Sequence, residues 1–310
     1  MSKPFKRMKA QDVGSLDGLN LVDYVVEQKY DGMFIEIHVH ENDDVELWSS
    51  TAKRISGNGS IWLWQAAWPG KCVVLGEIYQ PGGASNDVIH QLANSGEKLR
   101  FAVFDVLIEG GVGIMQMPLA YRMGIRAGIV KNLGNQRIHE VEHASGMYEP
   151  PPLMEHFCIE ALKLSEGVML KELKSPYREG KRLRDWLKLK KTYTVDVVIT
   201  DTESRPNRWR VRPGQKDTKG TVYMDGIETD PWKKGWVGLS YGYWDPARHM
   251  PVKVGSLGMT GPPEEMESHV GRVAEVKAYG MYPNGRIRHA QFLRWRTDKS
   301  PNECLKPEGR

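Results

Sequence analysis

The chain has 310 residues, 40% of them apolar and 26% charged, with a formal net charge of only +4. That length can bury a substantial core and suggests about two domains, while no stretch approaches the roughly 18 to 20 apolar residues of a membrane span. The start, MSKPFKRMKAQDVG, lacks the apolar segment of a secretion signal, and Cys72, Cys158 and Cys304 are too scattered for a disulfide framework or a structural zinc site, which fits a reducing cytoplasm.

In chain order, an apolar run through Tyr24-Val25-Val26 ends at Lys29, inside EQKYDGMF (27–34). Taken alone, K-x-D-G reads as a surface lysine at a turn, because Asp-Gly is common turn chemistry. MFIEIHVH (33–40) alternates, with Ile35, Ile37 and Val39 on one face and Glu36, His38 and His40 on the other. This predicts a half-buried strand with solvated histidines. KCVVLGEIY (71–79) and LRFAVFDVL (99–107) are apolar runs of strand length, hence buried strands. Helical patterns occupy 85–95, 119–133 and 153–164.

After WLKLKK (186–191) the texture changes to short strands separated by Gly, Pro and Asn: TVDVVIT, VKVGSLGMT, GRVAEVKAYGMY and GRIRHAQFLRW. A Pro-Asn-Gly turn joins the last two. Some five short strands in this span suggest a small barrel such as an OB-fold. The expected organisation is α+β, with a first domain over 1–192, built of antiparallel sheets with flanking helices, and a barrel over 193–310.

Charged residues sit where strands are expected to be apolar. Glu77 interrupts VVLGEIY, Glu166 opens EGVMLKE, and Lys188 and Lys190 alternate with leucines, which sends both to one face. Buried charge is costly unless it is paired or bound to a ligand. Two carboxylates and three lysines at strand ends would form a pocket for a polyphosphate and its metal ion, although for each residue alone a plain buried ion pair is the simpler account. No G-x-x-x-x-G-K-[ST] is present.

Taken in order, K-Y-D-G (29–32), L-G-E-I-Y (75–79), F-A-V-F-D (101–105), E-G-V-M-L-K (166–171) and W-L-K-L-K (186–190) resemble five motifs of the covalent nucleotidyltransferases: DNA ligases, RNA ligases and mRNA-capping guanylyltransferases. SPYREGKRLRDWLKLK (175–190) and GRIRHAQFLRWRTDKSP (285–301) narrow the resemblance to ATP-dependent DNA ligases of the compact viral or bacterial kind. The second carries an R-x-D-K motif at Arg296, Asp298 and Lys299.

The resemblance implies a nucleotidyltransferase domain followed by an OB-fold. It also implies Lys29 as the nucleophile that takes AMP from ATP, then passage of AMP to the 5′-phosphate of a nick and sealing by the 3′-hydroxyl. Asp31 would orient the lysine or act on the 3′-hydroxyl. Glu27 would recognise the adenine amino group. Phe104 would stack on the base, with Met169 or Val168 on its other face. Lys188, Lys190, Arg296 and Lys299 would meet phosphates, and Glu77 and Glu166 would hold Mg2+ or Mn2+ through hard oxygen ligands. The expected partner is nicked duplex DNA, met by a monomer in the cytoplasm of a bacterial or virus-infected cell, in replication, repair or recombination.

The basic stretch 203–226 is long for a barrel hairpin. Its Arg205, Arg208, Arg210, Arg212, Lys216 and Lys219 would form a clamp on DNA phosphates.

The sequence departs from the family pattern twice. K-x-D-G-x-R ends in Phe34, and a Ser-Arg pair is replaced by Ser50-Thr51. Those arginines touch the ribose and the nick phosphate in the family, and Lys53 or Arg54 is the nearby candidate to stand in for them. The competing readings are an RNA ligase or capping relative, and an inactive binding module.

Overall fold

A computed structural model describes residues 3–204, 237–282 and 284–307. The chain divides into two compact units, 1–191 and 192–310.

In the first unit the strands are β1 (Lys9–Asp12), β2 (Tyr24–Lys29), β3 (Met33–Val39), β4 (Val45–Ser49), β5 (Cys72–Tyr79), β6 (Arg100–Glu109), β7 (Val112–Gly113), β8 (Ile138–Glu140), β9 (His143–Ser145), β10 (Gly167–Glu172) and β11 (Arg182–Lys190). The helices are α1 (Ile61–Trp64), α2 (Ser85–Ala93), α3 (Leu119–Leu133) and α4 (Pro151–Leu164). α3 stops at Gly134, whose left-handed φ of 55° closes the last turn. α4 starts on prolines, which tolerate the unpaired first turn of a helix.

One sheet runs β1-β11-β10-β2-β9 and the other β4-β3-β5-β6-β7, with β8 joined to β6. Neighbours pair antiparallel except β1 with β11 and β6 with β8. α4 lays Met154, Cys158 and Ala161 on Val26, Val168 and Leu170 of the first sheet. α3 and α2 send Ile129, Val88 and Leu92 against Ile35, Ile37 and Val103 of the second. The remaining faces of the two sheets meet through Met8, Ala10 and Trp186 on one side and Phe34, Val73, Leu75 and Leu107 on the other. β3 therefore has both faces covered, which corrects the half-buried expectation. His38 is 3% exposed and pairs with Glu36 at 2.5 Å, and the same Glu36 oxygen accepts from the Phe5 amide at 2.9 Å. Alternation marked the two faces correctly, but a polar face can be buried when its charges find partners.

In the second unit the sheet order is β14-β13-β12-β15-β16, antiparallel throughout, from β12 (Tyr193–Ser204), β13 (Val237–Asp245), β14 (Met250–Gly261), β15 (Val273–Ala278) and β16 (Gln291–Trp295). A short helix, α5 (Pro263–Glu267), adds Met266 to a core of Val197, Ile199, Tyr241, Leu257 and Val276. β13 escaped the sequence reading because its glycines and tyrosines, VGLSYGYWD, dilute the aliphatic signal. Among the described residues no helix is long and apolar enough to cross a membrane.

Candidate active site

Strand register builds the site. Across the first sheet Lys29, Gly167 and Lys190 stand in one row, and two residues along Glu27, Met169 and Lys188 stand in the next. Side chains two apart on a strand share a face, so both rows look the same way, into a cavity of about 270 Å³ between the sheets. From the other sheet Phe34 and Glu77, directly opposite each other on β3 and β5, join Ala102 and Phe104 in lining it. Gly32 of K-Y-D-G is required by close approach: a Cβ there would stand 2.2 Å from the Ile78 carbonyl oxygen. Gly167 meets the Leu189 carbonyl oxygen in the same way.

At the mouth, Glu166 receives Lys29 on one carboxylate oxygen and Lys190 at 2.7 Å on the other. Burial alone would raise the Glu166 carboxyl, and the two lysines more than reverse it, so it is held below the usual carboxylate range. Burial pushes the Glu77 carboxyl up to about 7; Lys29 and Arg7 hold it back, while Glu166 and Asp31 add to the rise. Lys188 pairs with Asp12 at 3.2 Å.

At the closed end, Glu27 is 1% exposed and holds two cations, Arg126 at 2.8 Å and Lys171 at 2.5 Å. The Lys171 ammonium lies 4.4 Å from the centroids of both Phe104 and Trp186. Arg126 also donates to Glu140 at 2.9 Å and to the Phe104 carbonyl at 3.1 Å. Burial lowers the Lys171 ammonium, with Glu27 opposing the shift.

Glu27, Lys29, Glu77, Phe104, Met169, Lys188 and Lys190 thus line one cavity. Glu166 reaches it through its two lysines, and Asp31 stands outside the lining, near enough for its charge to act on Glu77. Of the two candidates for the second face of a base, Met169 lines the cavity. Val168 points the other way into the core under α4 and is ruled out. Arg54 is bound to Glu46 and lies over Trp48, and neither it nor Lys53 lines the cavity.

In the second unit Arg296 donates to both oxygens of Asp196 at 3.0 Å and, by two further bonds of 2.8 Å, to Asp298; Lys299 reaches Asp196 at 2.7 Å. The Arg296 bonds hold Asp298 well below its ordinary value, and the Asp196 bond raises Lys299. Arg205, Arg208, Arg210, Arg212, Lys216 and Lys219 lie outside the described residues.

The sequence reading missed Arg126, Asp196 and any role for Lys171. Lys171 closes a motif and interrupts a strand as Glu77 does, so its signal was present. Arg126 sits on a helix whose face could be any of several, and nothing local marks it.

Glu77 and Glu166 interact electrostatically, and among the described residues no group of three or more His, Cys, Asp or Glu could hold a metal ion. Two carboxylates fit a magnesium or manganese ion that brings phosphate oxygens and water with it, rather than an all-protein cage.

The chain is 26% identical to a probable DNA ligase of Rhodococcus jostii, over 91% of this chain and 57% of that protein. It is 29% identical to one of Mycolicibacterium paratuberculosis, over 72% of this chain and 42% of that protein. The chain thus spans about half the length of the curated relatives it matches. Its fold is similar to that of a Lig E DNA ligase, with a TM-score of 0.62 at 19% identity over 93% of this chain and 99% of that one. The ligase domain of M. tuberculosis LigD gives 0.54 at 18%, over 98% of each chain. The family model for the ATP-dependent DNA ligase domain matches residues 7–190. Arg7 and Lys190 are also the first and last residues to line the cavity, and the chain belongs to that family.

Proposed function

We propose that the protein is an ATP-dependent DNA ligase that seals nicks between a 3′-hydroxyl and a 5′-phosphate in duplex DNA. The observation that carries this reading is Lys29, an amine at a strand end inside a cavity, in one row with Lys190 and sharing Glu166 with it.

In the first step the Lys29 amine, once freed from Glu166 and deprotonated, attacks the α-phosphorus of ATP. A P–N bond forms, the bond to the β-phosphate oxygen breaks, and pyrophosphate leaves. In the second, an oxygen of the nick 5′-phosphate displaces the lysine, giving adenylated DNA. In the third, the 3′-hydroxyl attacks that 5′-phosphorus, AMP departs and the phosphodiester is made. Such transfers ask chiefly for positioning and charge neutralisation.

Phe104 and Met169 would flank the adenine. Glu27 spends one lone pair on each cation, and a carboxylate oxygen has a second, which can accept from the adenine amino group. Lys188 and Lys190 would meet phosphate. A divalent ion held by Glu77 and Glu166 would neutralise phosphate charge when bound. The roles proposed for Asp31, Arg296 and Lys299 rest on the family resemblance, as do the OB-fold reading of the five-stranded second unit and the DNA clamp at residues 205–219. The clamp predicts that deleting those residues flattens the salt dependence of nick binding by about 0.9 in log–log slope for each phosphate no longer neutralised.

Incubation with α-labelled ATP or GTP and magnesium tests the core of the proposal. Acid-labile, alkali-stable, hydroxylamine-sensitive label from ATP alone, followed by sealing of a nicked DNA duplex, is the expected result. Label from GTP would favour a capping enzyme, and sealing confined to RNA ends would favour an RNA ligase.

A further inference from the structure

The cavity has more cations than its salt bridges account for. Lys29 and Lys190 share Glu166, Lys171 has Glu27, and Lys188 has Asp12, which Arg182 also approaches. Arg7 lines the same cavity and forms no salt bridge among the described residues, although its charge acts on Glu77 across the cavity; its guanidinium lies over the Phe34 ring, 5.4 Å from the centroid.

That position is fixed from both sides. The Lys6 amide donates to Glu179 at 2.8 Å and the Met8 amide to the Tyr177 hydroxyl at 2.9 Å, and Lys9 enters β1. Met8 is 2% exposed, whereas the Arg7 side chain stays open to the cavity. Phe34 is 4% exposed and rests near Phe104, so the platform beneath the guanidinium is rigid. Its cross-strand neighbour is Glu77.

A guanidinium lying on an aromatic face keeps its N–H donors at its edges, in a fork that matches two oxygens of a phosphate. An ammonium stacked there would offer a point charge without the fork. Position 34, where the family pattern leads to an arginine, instead holds the ring on which an arginine from the N-terminal segment lies.

We propose that Arg7 is a phosphate-binding residue of the cavity, with Phe34 as its platform. The inference rests on the nucleotidyl-transfer reading for its ligand. The phosphate belongs either to the nucleotide or to the 5′ end of the nick, and the test separates the two.

Arg7→Ala and Arg7→Lys are compared with wild type and with Lys6→Ala, which removes the same charge one residue away and outside the cavity. Two titrations are read: ATP against adenosine, and nicked duplex with a 5′-phosphate against one with a 5′-hydroxyl. Removing a charge-assisted hydrogen bond at a partly open site predicts binding about tenfold weaker. If the nucleotide phosphate is the ligand, ATP weakens by that factor in Arg7→Ala while adenosine and Lys6→Ala are unchanged. If the DNA end is the ligand, ATP is unchanged and the preference for the 5′-phosphate disappears. Arg7→Lys recovers part of either effect, and it reads the site should Arg7→Ala fail to fold. Unchanged binding in both titrations overturns the proposal, as does equal weakening by Lys6→Ala or equal weakening of adenosine. Because these are equilibrium titrations, a wild-type protein that takes no covalent label would overturn the ligase reading and leave the Arg7 result standing by itself.

Discussion

Two carboxylates in this molecule each hold one arginine and one lysine, in surroundings that differ sharply. In the first unit Glu27 grips Arg126 and Lys171 with side-chain exposures of 2% or less for all three. In the second, Asp196 grips Arg296 and Lys299 at exposures from 16% to 26%. The chemistry is the same, but the dielectric differs. A buried set cannot exchange partners without stranding a charge, so it holds shape. An open set can trade its carboxylate for another anion at little cost. Glu166, shared by Lys29 and Lys190 at exposures of 15% to 23%, belongs with the exchangeable kind, as the release proposed for Lys29 requires.

The sharpest break comes from Lys29→Ala. It should abolish the lysyl-adenylate if Lys29 is the nucleophile as proposed, while leaving the unfolding midpoint near wild type because Glu166 keeps Lys190. Label at wild-type level on the mutant would put the nucleophile elsewhere. Sealing of a pre-adenylated nick should survive in part.

Next in size is Arg126→Ala, which leaves Glu27 with one cation and strips Glu140 of its partner. Breaking a buried pair costs about 3 to 5 kcal/mol, read as a lower urea midpoint at unchanged slope. A loss below about 1 kcal/mol would mean that the buried set is not the scaffold described here.

Glu77→Gln should act through pH. The folded protein holds the Glu77 proton up to about 7, above the ordinary carboxyl value of 4.5. Between those values the folded state binds more proton than the unfolded one, so stability falls as pH rises through the window. Glutamine removes that loss. The midpoint of the variant minus that of wild type should therefore grow from about pH 5 to about pH 8, and a constant difference would rule it out.

Asp196→Asn is the mildest. It should cost under about 1 kcal/mol, and the loss should vanish at high salt, where exposed pairs are screened; the Arg126→Ala loss should persist. Equal salt sensitivity in the two variants would erase the distinction between the sets.

The same contrast explains what the sequence made legible. Lys29, Glu77, Lys188 and Lys190 could be picked out because each is a charge in an apolar strand, and strand alternation sends Lys188 and Lys190 to one face. Glu27 was identified, but the cations that hold it were not. Arg126 comes from a helix far along the chain, and pairing across such a distance leaves no local pattern. Phe34 read as a gap in a motif, and only the folded chain brings Arg7 over it. His38 looked solvated because alternation reports two faces and not what covers them. Register decided between Met169 and Val168 where the sequence left both open.

The parallel pairing of β1 with β11 has a consequence in time. Lys9 through Asp12 are made first and seat against residues 182–188. At usual synthesis rates of 5 to 20 residues per second, those partners appear roughly 10 to 40 s later. Until then the N-terminal segment has no strand to join, and the cavity lacks the wall that carries Arg7 and Met8. A nascent chain cannot complete this cavity early. A refolding chain faces the same long loop closure, so ATP should begin to protect the protein from proteolysis only in the last kinetic phase, when the two ends of the unit meet.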